Sequence, residues 1–548
     1  MIHPIVRAVR SADSCDMSSR TKPQRLALLA LASLVTLAIG CRELSPHVYH
    51  VDCAAGSDAE DGLAPESAWR TLARVNAHFL IPGDSVRFKR GTTCWGALRP
   101  LGLGTAEAPI VVGAYGSGPL PIIDAHGEEA ALVLVDLSGF EIGELELTGG
   151  GSWGVLVVAS AGTVRHVRLA NLRVHDVFAG EISSKQTGLV VFAPGGPGGR
   201  FEDVVVDGVD AWNTDQWSGI HFYGALWDSG TELSRDVVIR NSTVHHVHGD
   251  GIVVFGARDA VIETSVAHHT GLQPKETIGT PNGIWTWWCD RCTVQYNEGY
   301  ATHSPGVDGG VFDIDWATRS NVVQYNYGHD AQAYCVAVFG AEGWTTRDAV
   351  IRYNVCAHNG RGNPSTGDVH LLTWTGGALD GVAIYNNTFV WDPPVNRPVL
   401  VDAARYAGEE PRFFFNNVVH SETSWLVHTT LELDMDHNLY WVAGGGRPWF
   451  SRNEEHPYRY VERYDGLDAW RSATGQDARS LSADPKLAGD GSNGAGDYQI
   501  SATSPAIDAG APIAGAGGCD FFGGELDDAS VDIGAHEFGA RPGPSCES

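Results

Sequence analysis

Short apolar segments that end in asparagine recur along most of the chain, and this repeat restricts the possible folds more than any other feature. Roughly 30 residues separate successive segments. The segments VVIRN, TVQYN, VVQYN, VIRYN, VAIYN and FFFN end at Asn241, Asn297, Asn326, Asn354, Asn386 and Asn416, and AVIET places Thr264 at the same position. That period accommodates three short strands and three turns, and each such unit buries its inward side chains only by stacking on its neighbours. The repeat predicts an all-β parallel solenoid with three strands per coil.

The composition agrees with a turn-rich β protein. The chain of 548 residues has 67 glycines and 17 tryptophans but only 3 methionines, and 43% of it is hydrophobic, enough for a sizeable core. A formal net charge of -29 argues against a general nucleic-acid binder, because such surfaces need clustered lysine and arginine. An anionic sugar chain held by a few local cations is not excluded.

The recurrent asparagine resembles the asparagine ladder of right-handed parallel β-helices of the pectate-lyase-like class. Asparagine tolerates left-handed backbone and can hydrogen-bond to the asparagine above and below it. VYHVDCAAGSDAEDGLAPESAWRTL resembles the N-terminal cap of secreted bacterial β-helix proteins, and LDAWRSATGQDARSLSADPKL and VDIGAHE resemble their closing region. The resemblance runs from about Val48 to the end. It implies a carbohydrate-active protein with a cap and first coils at 48–125, a β-helix with the catalytic groove at 126–440 and a closing region at 441–548.

Residues 1–40 have the anatomy of an export signal. Arg20, Lys22 and Arg25 precede the apolar run LALLALASLVTLAIG, which is short for a bilayer core of ~30 Å and so favours a signal over a transmembrane anchor. The following AIGC resembles a bacterial lipoprotein cleavage box. Either Cys41 becomes lipidated or another signal peptidase removes the segment. We expect an exported monomer at the cell surface, in the periplasm or outside the cell, whose membrane contact would be a lipid on Cys41.

Cysteine usage fits an oxidising compartment. The chain has ten cysteines, and setting aside Cys15 and Cys41 leaves an even eight. Proximity in sequence suggests the disulfides Cys53–Cys94, Cys289–Cys292, Cys335–Cys356 and Cys519–Cys546. Cys289-Asp-Arg-Cys292 would alternatively be half of a zinc site, but no second close pair completes it. We therefore predict no metal at these cysteines.

The stretch DGGVFDIDWATRSNVVQYNYGHD, from Asp308 to Asp330, concentrates the candidate chemistry. An extended backbone would turn Phe312 and Ile314 inward and Asp313 and Asp315 outward, once an extra glycine shifts the register of this coil by one. Asp313 and Asp315 are our first-choice acid and base. Residues i and i+2 of a strand stand about 6.6 Å apart, close to the ~6.5–9.5 Å between the carboxyls of inverting glycosidases.

The strands before this stretch carry outward aromatic side chains. With Ile220, Ile252 and Ile284 pointing inward, the outward row contains His221, Tyr223, Phe255, Trp285 and Trp287. We predict a column of Tyr223, Phe255, Trp287 and Asp313 along one face, which is the composition of a saccharide groove. An aromatic stack that only stiffens the solenoid is the alternative.

A second acid pair comes from Asp250 and Asp308. The sequence places them at equivalent positions two coils apart, about 9.6 Å, and HGDGIVVFG around Asp250 resembles the aspartate strand of polygalacturonase-type hydrolases. Both aspartates would alternatively cap the turns before their strands.

His329 and Asp330 complete the candidate catalytic set. QYNYGHD resembles a recurrent segment of secreted β-helix enzymes, in which His329 would relay a proton or hold a substrate hydroxyl. Most histidines of the same column, His175, His245, His268 and His358, are more simply read as a structural stack. Lys275 and Arg361 lie on the longer loops LQPKETIGTP and NGRGNPSTGD, beside the aromatic face, and are predicted to contact substrate unless they are merely solvated.

These features predict a glycoside hydrolase that acts on a polysaccharide or oligosaccharide with paired aspartates and needs no cofactor. Clustered aspartates also suit Ca²⁺, which prefers six to eight oxygens. A uronate-polysaccharide lyase of the pectate or alginate type, or an epimerase, is the alternative, since it needs a cation for the uronate carboxylate and a base. A third hypothesis is a glycan-binding surface solenoid without catalysis.

Overall fold

The computed structural model describes residues 45–182, 184–196, 198–224, 232–275, 279–362, 366–453, 460–526 and 530–543. The export segment and Cys41 fall outside these residues, so export and lipidation stay predictions. His47–Ser548 form one compact unit. Within the described part of the chain, no helix has both the length and the apolarity to cross a bilayer.

The chain winds through three parallel sheets in turn, which confirms the predicted three-strand coil. Sheet 1 contains Val48–Val51, Ser85–Lys89, Ile110–Tyr115, Phe140–Gly143, Thr163–Ala170, Arg200–Asp207, Ser234–Arg240, Ala257–Arg258, Val261–Glu263, Thr293–Gln295, Val322–Gln324, Thr345–Arg352, Ala378–Tyr385, Arg412–Phe415 and Asp434–Asp436. Sheet 2 contains Thr93–Trp95, Ile122–Asp124, Glu146–Thr148, Arg173–Val177, Asp210–Thr214, Thr243–Val247, Val266–His268, Glu298–Tyr300, Tyr327–His329, Val355–Ala357, Thr388–Trp391, Val418–Ser421, Leu439–Val442 and Leu481–Ser482. Sheet 3 contains Ala130–Val135, Trp153–Ala159, Gly188–Pro194, Ser218–Tyr223, Ile252–Phe255, Ile284–Trp287, Phe312–Ile314, Val336–Gly340, Val369–Thr373, Leu400–Ala403, Trp425–Thr429, Trp449–Asn453 and Tyr460–Asp465.

A few short elements lie outside this solenoid. Phe79–Leu80 pairs with Leu101–Gly102. Among the described residues, the helices are Leu72–Asn76 and Leu467–Thr474, and the 3-10 turns are Pro65–Ser67, Ala443–Gly445 and Ala495–Tyr498. The interior of the coils is a single apolar core of aliphatic and aromatic side chains drawn from all three sheets.

An asparagine ladder runs through the turn between sheets 1 and 2. Asn354 illustrates it: its Oδ1 accepts from the backbone N–H of Asn326 at 3.0 Å, and its own N–H donates to Oδ1 of Asn387 at 2.9 Å. Such bonds satisfy buried amides that would otherwise destabilise each coil. The buried ladder contains Ser242, Ser265, Asn297, Asn326, Asn354, Asn387, Asn417 and Asn438.

The predicted ladder positions are right for three coils and wrong by one residue for four. Where the prediction placed Asn241, Thr264, Asn386 and Asn416, the ladder uses the residue that follows. The reason lies in the backbone: the left-handed residue of the turn, with φ near +50°, directly precedes the ladder residue in each of these coils. Asparagine is favoured at both positions, so the sequence alone does not distinguish them.

Both ends of the solenoid are covered. At the start, Leu72 and Val75 of the first helix are buried together with Trp69. At the other end, Tyr460–Asp465 pairs antiparallel to the last parallel strand of sheet 3, and Trp470 stacks on Phe450 with ring centroids 5.4 Å apart. These elements remove the unpaired edges that an open coil would expose.

The C-terminal region also folds back along the ladder side of the coils. Asn416 accepts from the N–H of Ala511 at 2.8 Å, and Asn386 donates to the carbonyl of Asp532 at 2.9 Å. The Asn386 and Asn416 side chains, left out of the ladder, are thus used to hold this region.

Three of the predicted disulfides are confirmed: Cys53–Cys94, Cys289–Cys292 and Cys335–Cys356. Cys289 and Cys292 therefore bind each other, which excludes the half zinc site in this state. The fourth predicted pair includes Cys546, which lies outside the described residues.

Candidate active site

The outer face of sheet 3 forms a valley at the coil of Asp313. Register pairs side chains of successive coils into an outward column: His221, Val253, Trp285, Asp313, Ala337 and His370. Trp285 and His370 are large, whereas Ala337 is small, so Asp313 and Ala337 form a floor between two walls.

A second outward column lies two residues further along each strand. Tyr223, Phe255 and Trp287 are in register, and Asp315 continues them because its N–H donates to the carbonyl of Thr286 at 3.0 Å. The prediction that Phe312 and Ile314 point inward is confirmed, since both are fully buried in the core. The predicted column that ended in Asp313 is wrong by two residues: Asp313 aligns with Trp285.

Loops between sheets 2 and 3 rise beside this valley and close it into a cavity of about 490 Å³. The strands of sheet 3 supply its floor, and the loops supply a polar side. The lining residues are Lys185, Thr280, Asn282, Trp285, Val307, Asp308, Asp313, Asp315, Tyr334, Phe339, Thr366, His370, Leu372 and Trp374. Thr280 and Thr366 come from the two loops that the sequence placed beside the aromatic face.

Asn282 is the centre of the hydrogen-bond network in the cavity. Its N–H donates to Oδ1 of Asp250 at 2.9 Å, and its Nδ2 donates to Oδ2 of Asp313 at 3.3 Å. Its Oδ1 accepts from Tyr334 Oη at 3.0 Å and from the N–H of Gly310 at 2.9 Å. Asn282 therefore holds acids from two coils, Asp250 through its backbone N–H and Asp313 through its side-chain amide.

Two glycines in the DGG segment allow this arrangement. Gly309 has φ +99°, which favours glycine, and a Cβ on Gly310 would lie 2.0 Å from the Tyr334 ring. In the strand register, Gly310 occupies the position that Asn282 and Asp250 occupy in the two preceding coils. Asp308 therefore lies two residues before the position that is equivalent to Asp250. The prediction that Asp250 and Asp308 are equivalent is therefore wrong, although both acids do reach the same cluster.

The four aspartates all have raised pKa values, with burial as the largest cause. Burial raises the pKa of Asp308 to about 6 and that of Asp315 to about 7. The pKa of Asp313 is raised well above its usual value by burial and then by the charges of Asp315 and Asp308, and that of Asp250 is also raised by burial. A cleft with several acids of perturbed pKa is typical of an active site.

Exposure divides these acids into two kinds. Asp250 and Asp313 are 0% and 2% exposed, whereas Asp308 and Asp315 keep partial exposure although protein surrounds them. Thr280 Oγ1 donates to Asp308, and the N–H of Trp316 donates to Oδ1 of Asp315 at 2.8 Å. Asp308 and Asp315 are therefore the acids best placed to touch a ligand. Asp313 Oδ1 is buried without a hydrogen-bond partner in the described part of the chain.

Of the five predicted substrate-binding side chains on these strands, Trp285 lines the cavity. It forms one cluster with Tyr223, Phe255 and Trp287, in which Trp287 is partly exposed and lies 4.8 Å from Phe255 between ring centroids. Phe255 and His221 are fully buried, so direct sugar contact by these two is contradicted. Burial lowers the pKa of His221 to about 3, which keeps its imidazole neutral.

The structure does not bring His329 and Asp330 to this cavity. His329 lies on sheet 2, stacked on Tyr300 at 4.8 Å between ring centroids, and its Nδ1 and Nε2 contact Asp330 and Glu298. The aligned sheet 2 column contains His175, Trp212, His245, His268, Tyr300 and His329. Ala357 rather than His358 continues it, so the predicted position of His358 is wrong by one.

The predicted loop cations do not line the cavity either. Arg361 makes ion pairs with Asp392 at 3.2 Å and Asp330 at 3.7 Å. Lys275 is exposed on its loop and is absent from the cavity lining. Among the described lining residues, Lys185 is the one lysine or arginine.

Sequence reasoning missed Lys185, Asn282, Tyr334, His370 and Trp374 as cavity residues. Tyr334 belongs to a second aromatic cluster, and Trp374 packs against it. This cluster lies on the opposite side of the acids from Trp285. The signal that could have found Asn282 is its position before a Gly-Ile strand, the place that Asp250 takes one coil earlier.

Among the described residues, one group of three side chains brings potential metal-ligand atoms close together. Three ligand atoms of His, Cys, Asp or Glu come within 4.8 Å of one another at Cys335, Cys356 and Asp368, and both cysteines are in a disulfide. The cavity aspartates do not form such a group of three. Calcium binding therefore stays a prediction.

Comparison with known proteins agrees with the fold. A family model described as a right handed beta helix region matches residues 216–389, which include the four aspartates. A GH136 lacto-N-biosidase from Eubacterium ramulus superposes with a TM-score of 0.52 and 22% identity, over 63% of this chain and 68% of that one. The protein is a right-handed parallel β-helix, as predicted, with an acidic and aromatic cavity on one sheet.

Two curated relatives match parts of the chain. A lacto-N-biosidase from Bifidobacterium longum subsp. longum is 25% identical over 452 residues, covering 63% of this chain and 27% of that protein. An alpha-1,3-galactosidase A from Akkermansia muciniphila is 32% identical over 66 residues, covering 12% of this chain and 11% of that protein. The chain thus spans about a quarter or less of the length of these relatives.

Proposed function

We propose that the protein is a glycoside hydrolase that cleaves a neutral glycan in the sheet 3 cavity. The observation that carries the proposal is the convergence of four aspartates of raised pKa around Asn282, in a cavity walled by aromatic side chains. Glycosidases use two carboxyl groups of different protonation state, set by their surroundings.

The two partly exposed acids divide the roles. Asp315, whose pKa is about 7, keeps its proton near neutrality and acts as the general acid on the leaving oxygen. Asp308, whose pKa is about 6 and which accepts a hydrogen bond from Thr280, is the carboxylate that activates water or attacks the sugar. In this assignment Asp313 supports the pair from beneath, rather than serving as the partner of Asp315 that the sequence suggested.

Charge favours a neutral substrate over a uronate. Three acids line the cavity, a fourth, Asp250, is bonded to the lining residue Asn282, and Lys185 is the one lysine or arginine in the described lining. A uronate carboxylate bound there would face like charges, which is unfavourable in a partly buried site. Lys185 is nevertheless the observation that keeps a uronate lyase or epimerase as the second candidate, because it could neutralise one carboxylate.

The names of the two curated relatives suggest which substrates to test first. Their names, lacto-N-biosidase and alpha-1,3-galactosidase A, denote hydrolysis of glycans that carry lacto-N-biose or alpha-1,3-linked galactose. We therefore propose an oligosaccharide of this kind as the ligand, bound by an exported enzyme that works as a monomer without a cofactor.

The decisive experiment is a product assay on a panel of neutral oligosaccharides and uronate polymers. We expect new reducing ends from a neutral glycan without the ultraviolet absorbance of an unsaturated uronate. Asp308→Asn and Asp315→Asn should each lose about 100-fold or more of the activity. Asp330→Asn, which changes the partner of His329 at the end of the strand Tyr327–His329, is the matched control and should keep the activity.

Other outcomes separate the rivals. Unsaturated products that disappear with a chelator would support the lyase. Glycan retention that survives all acid substitutions but is lost in Trp285→Ala would support a binding solenoid. If Asp313→Asn is inactive and Asp308→Asn is fully active, the roles assigned above are wrong and the original pair of Asp313 and Asp315 is restored.

A further inference from the structure

Lys185 reaches the acid cavity from another coil. It lies in the segment between Arg173–Val177 and Gly188–Pro194, lines the cavity, and is partly buried. Its Nζ lies 4.9 Å from the ring centroid of Trp217. A Cβ on Gly279 would lie 2.8 Å from Nζ, so the missing side chain at that position leaves room for the ammonium group.

The indole beneath Lys185 belongs to the acid network. Trp217 is fully buried, and its Nε1 donates to Oδ2 of Asp250. Asp250 in turn accepts from Asn282, whose amide donates to Asp313. A cation on an aromatic face is held in place by the ring quadrupole. Its contact with Trp217 thus holds Lys185 next to the residue that donates to Asp250.

We propose that Lys185 is a positioning residue that holds a positive charge close to Asp250, Asp308 and Asp315 and so sets the pH range in which one of the two partly exposed acids is protonated while the other is ionised. This inference rests on the proposed function, because it gives that site its working range. Lys185 acts through Asp308 and Asp315 and need not touch the bond that breaks.

Lys185 is the one lysine or arginine among the described lining residues of the cavity, and His370 is the histidine among them. Its charge lowers the pKa values of Asp250, Asp308 and Asp315, against the larger effect of burial. His221, whose pKa is about 3, stays neutral and adds no charge. The pKa of Tyr334 is raised by burial and by the nearby aspartates, so it is a neutral phenol. Asp313 adds a further acid to the same cluster.

The test compares Lys185→Met, which keeps the length of the chain without charge, with Lys185→Arg and with Lys275→Met as a matched loop control. The profile of kcat/KM against pH should move upward by about half a pH unit or more in Lys185→Met. It should stay in place in Lys275→Met and largely in Lys185→Arg. A Lys185→Met profile that overlays the wild type, or an equal shift in Lys275→Met, would overturn the proposal.

A readout without activity keeps this proposal separate from the proposed function. The difference in melting temperature between wild type and Lys185→Met should widen from about pH 5 to about pH 8, because ionised aspartates lose their counter-charge. A constant difference would contradict the inference even in an active enzyme. Absence of cleavage of every glycan, with a widening difference, would instead reject the hydrolase and retain the charge role.

Discussion

Asp315→Asn should make the folded protein more stable at alkaline pH while it abolishes catalysis. The pKa of Asp315 rises from 3.8 to about 7 in the folded state. Each unit of pKa difference is worth about 1.36 kcal/mol, so ionising this buried group costs up to about 4 kcal/mol of the free energy of unfolding. Because Asp313 shares the site, we expect the measured gain to lie at or below that value.

The sign follows from proton linkage. A carboxyl whose pKa is raised on folding binds its proton more tightly in the folded state, so its contribution is fully present below the unfolded pKa, near 3.8, and is lost as pH rises through about 7. Asparagine cannot ionise and still offers an oxygen to the N–H of Trp316, which lies 2.8 Å from Asp315. The stabilisation should therefore grow from about pH 4 to about pH 7, reach its full value above about pH 7 and amount to about a third of that value near pH 5.

The assay is urea unfolding of wild type and Asp315→Asn at about pH 5 and about pH 8, with hydrolysis measured on the same preparations. Asp434→Asn, at an exposed strand position, is the control and should change stability by less than about 0.5 kcal/mol at either pH. An equal gain at both pH values, or no gain at pH 8, would refute the reasoning that burial destabilises the Asp315 carboxylate.

Two further predictions concern the scaffold and the walls of the cavity. Asn354→Ala should lower the free energy of unfolding by about 2–4 kcal/mol, because its buried neighbours in the ladder lose their hydrogen-bond partner. Gln324→Ala on the outer face is the control and should lower it by less than about 1 kcal/mol. Equal losses in the two variants would contradict a special role of the ladder. Trp374→Ala, in the cavity wall, should raise KM about tenfold with a smaller effect on kcat, whereas Trp344→Ala, 39% exposed and outside the described lining, should match the wild type in a steady-state assay.

The fold was predictable because each coil repeats the same physical requirements. Inward aliphatic residues, an outward alternation and a polar turn residue recur at a fixed period, and stacking is the one way to bury such short strands. The errors at Asn386 and Asn416 arise because each precedes a second asparagine. The backbone needs a left-handed residue and then a ladder residue, and the sequence offers the same amino acid for both.

The sequence predicted those features of the site that depend on one strand alone, but not those that depend on how different coils align. Alternation correctly turned Asp313 and Asp315 outward, since it depends on nothing beyond one strand. The alignment of Asp250 with Asp308, in contrast, required the number of residues in the preceding loop, and two extra residues before Phe312 made it wrong. Lys185 left no signal, because it reaches the acids from a loop of a different coil and pairs with Trp217 only in three dimensions.

The acid cluster depends on a break in the repeat rather than on the repeat itself. Asp250, Asn282 and Gly310 take the same place in three successive coils, and a regular third coil would have put a side chain where Tyr334 now lies. Glycine at this position leaves room for Tyr334, whose hydroxyl donates to Asn282. Asp308 is displaced two residues into the loop and approaches the acid cluster from the side. A regular ladder of acids would repel along its whole length. The irregular coil instead gathers them at one point, where Asn282 and Lys185 compensate for the repulsion.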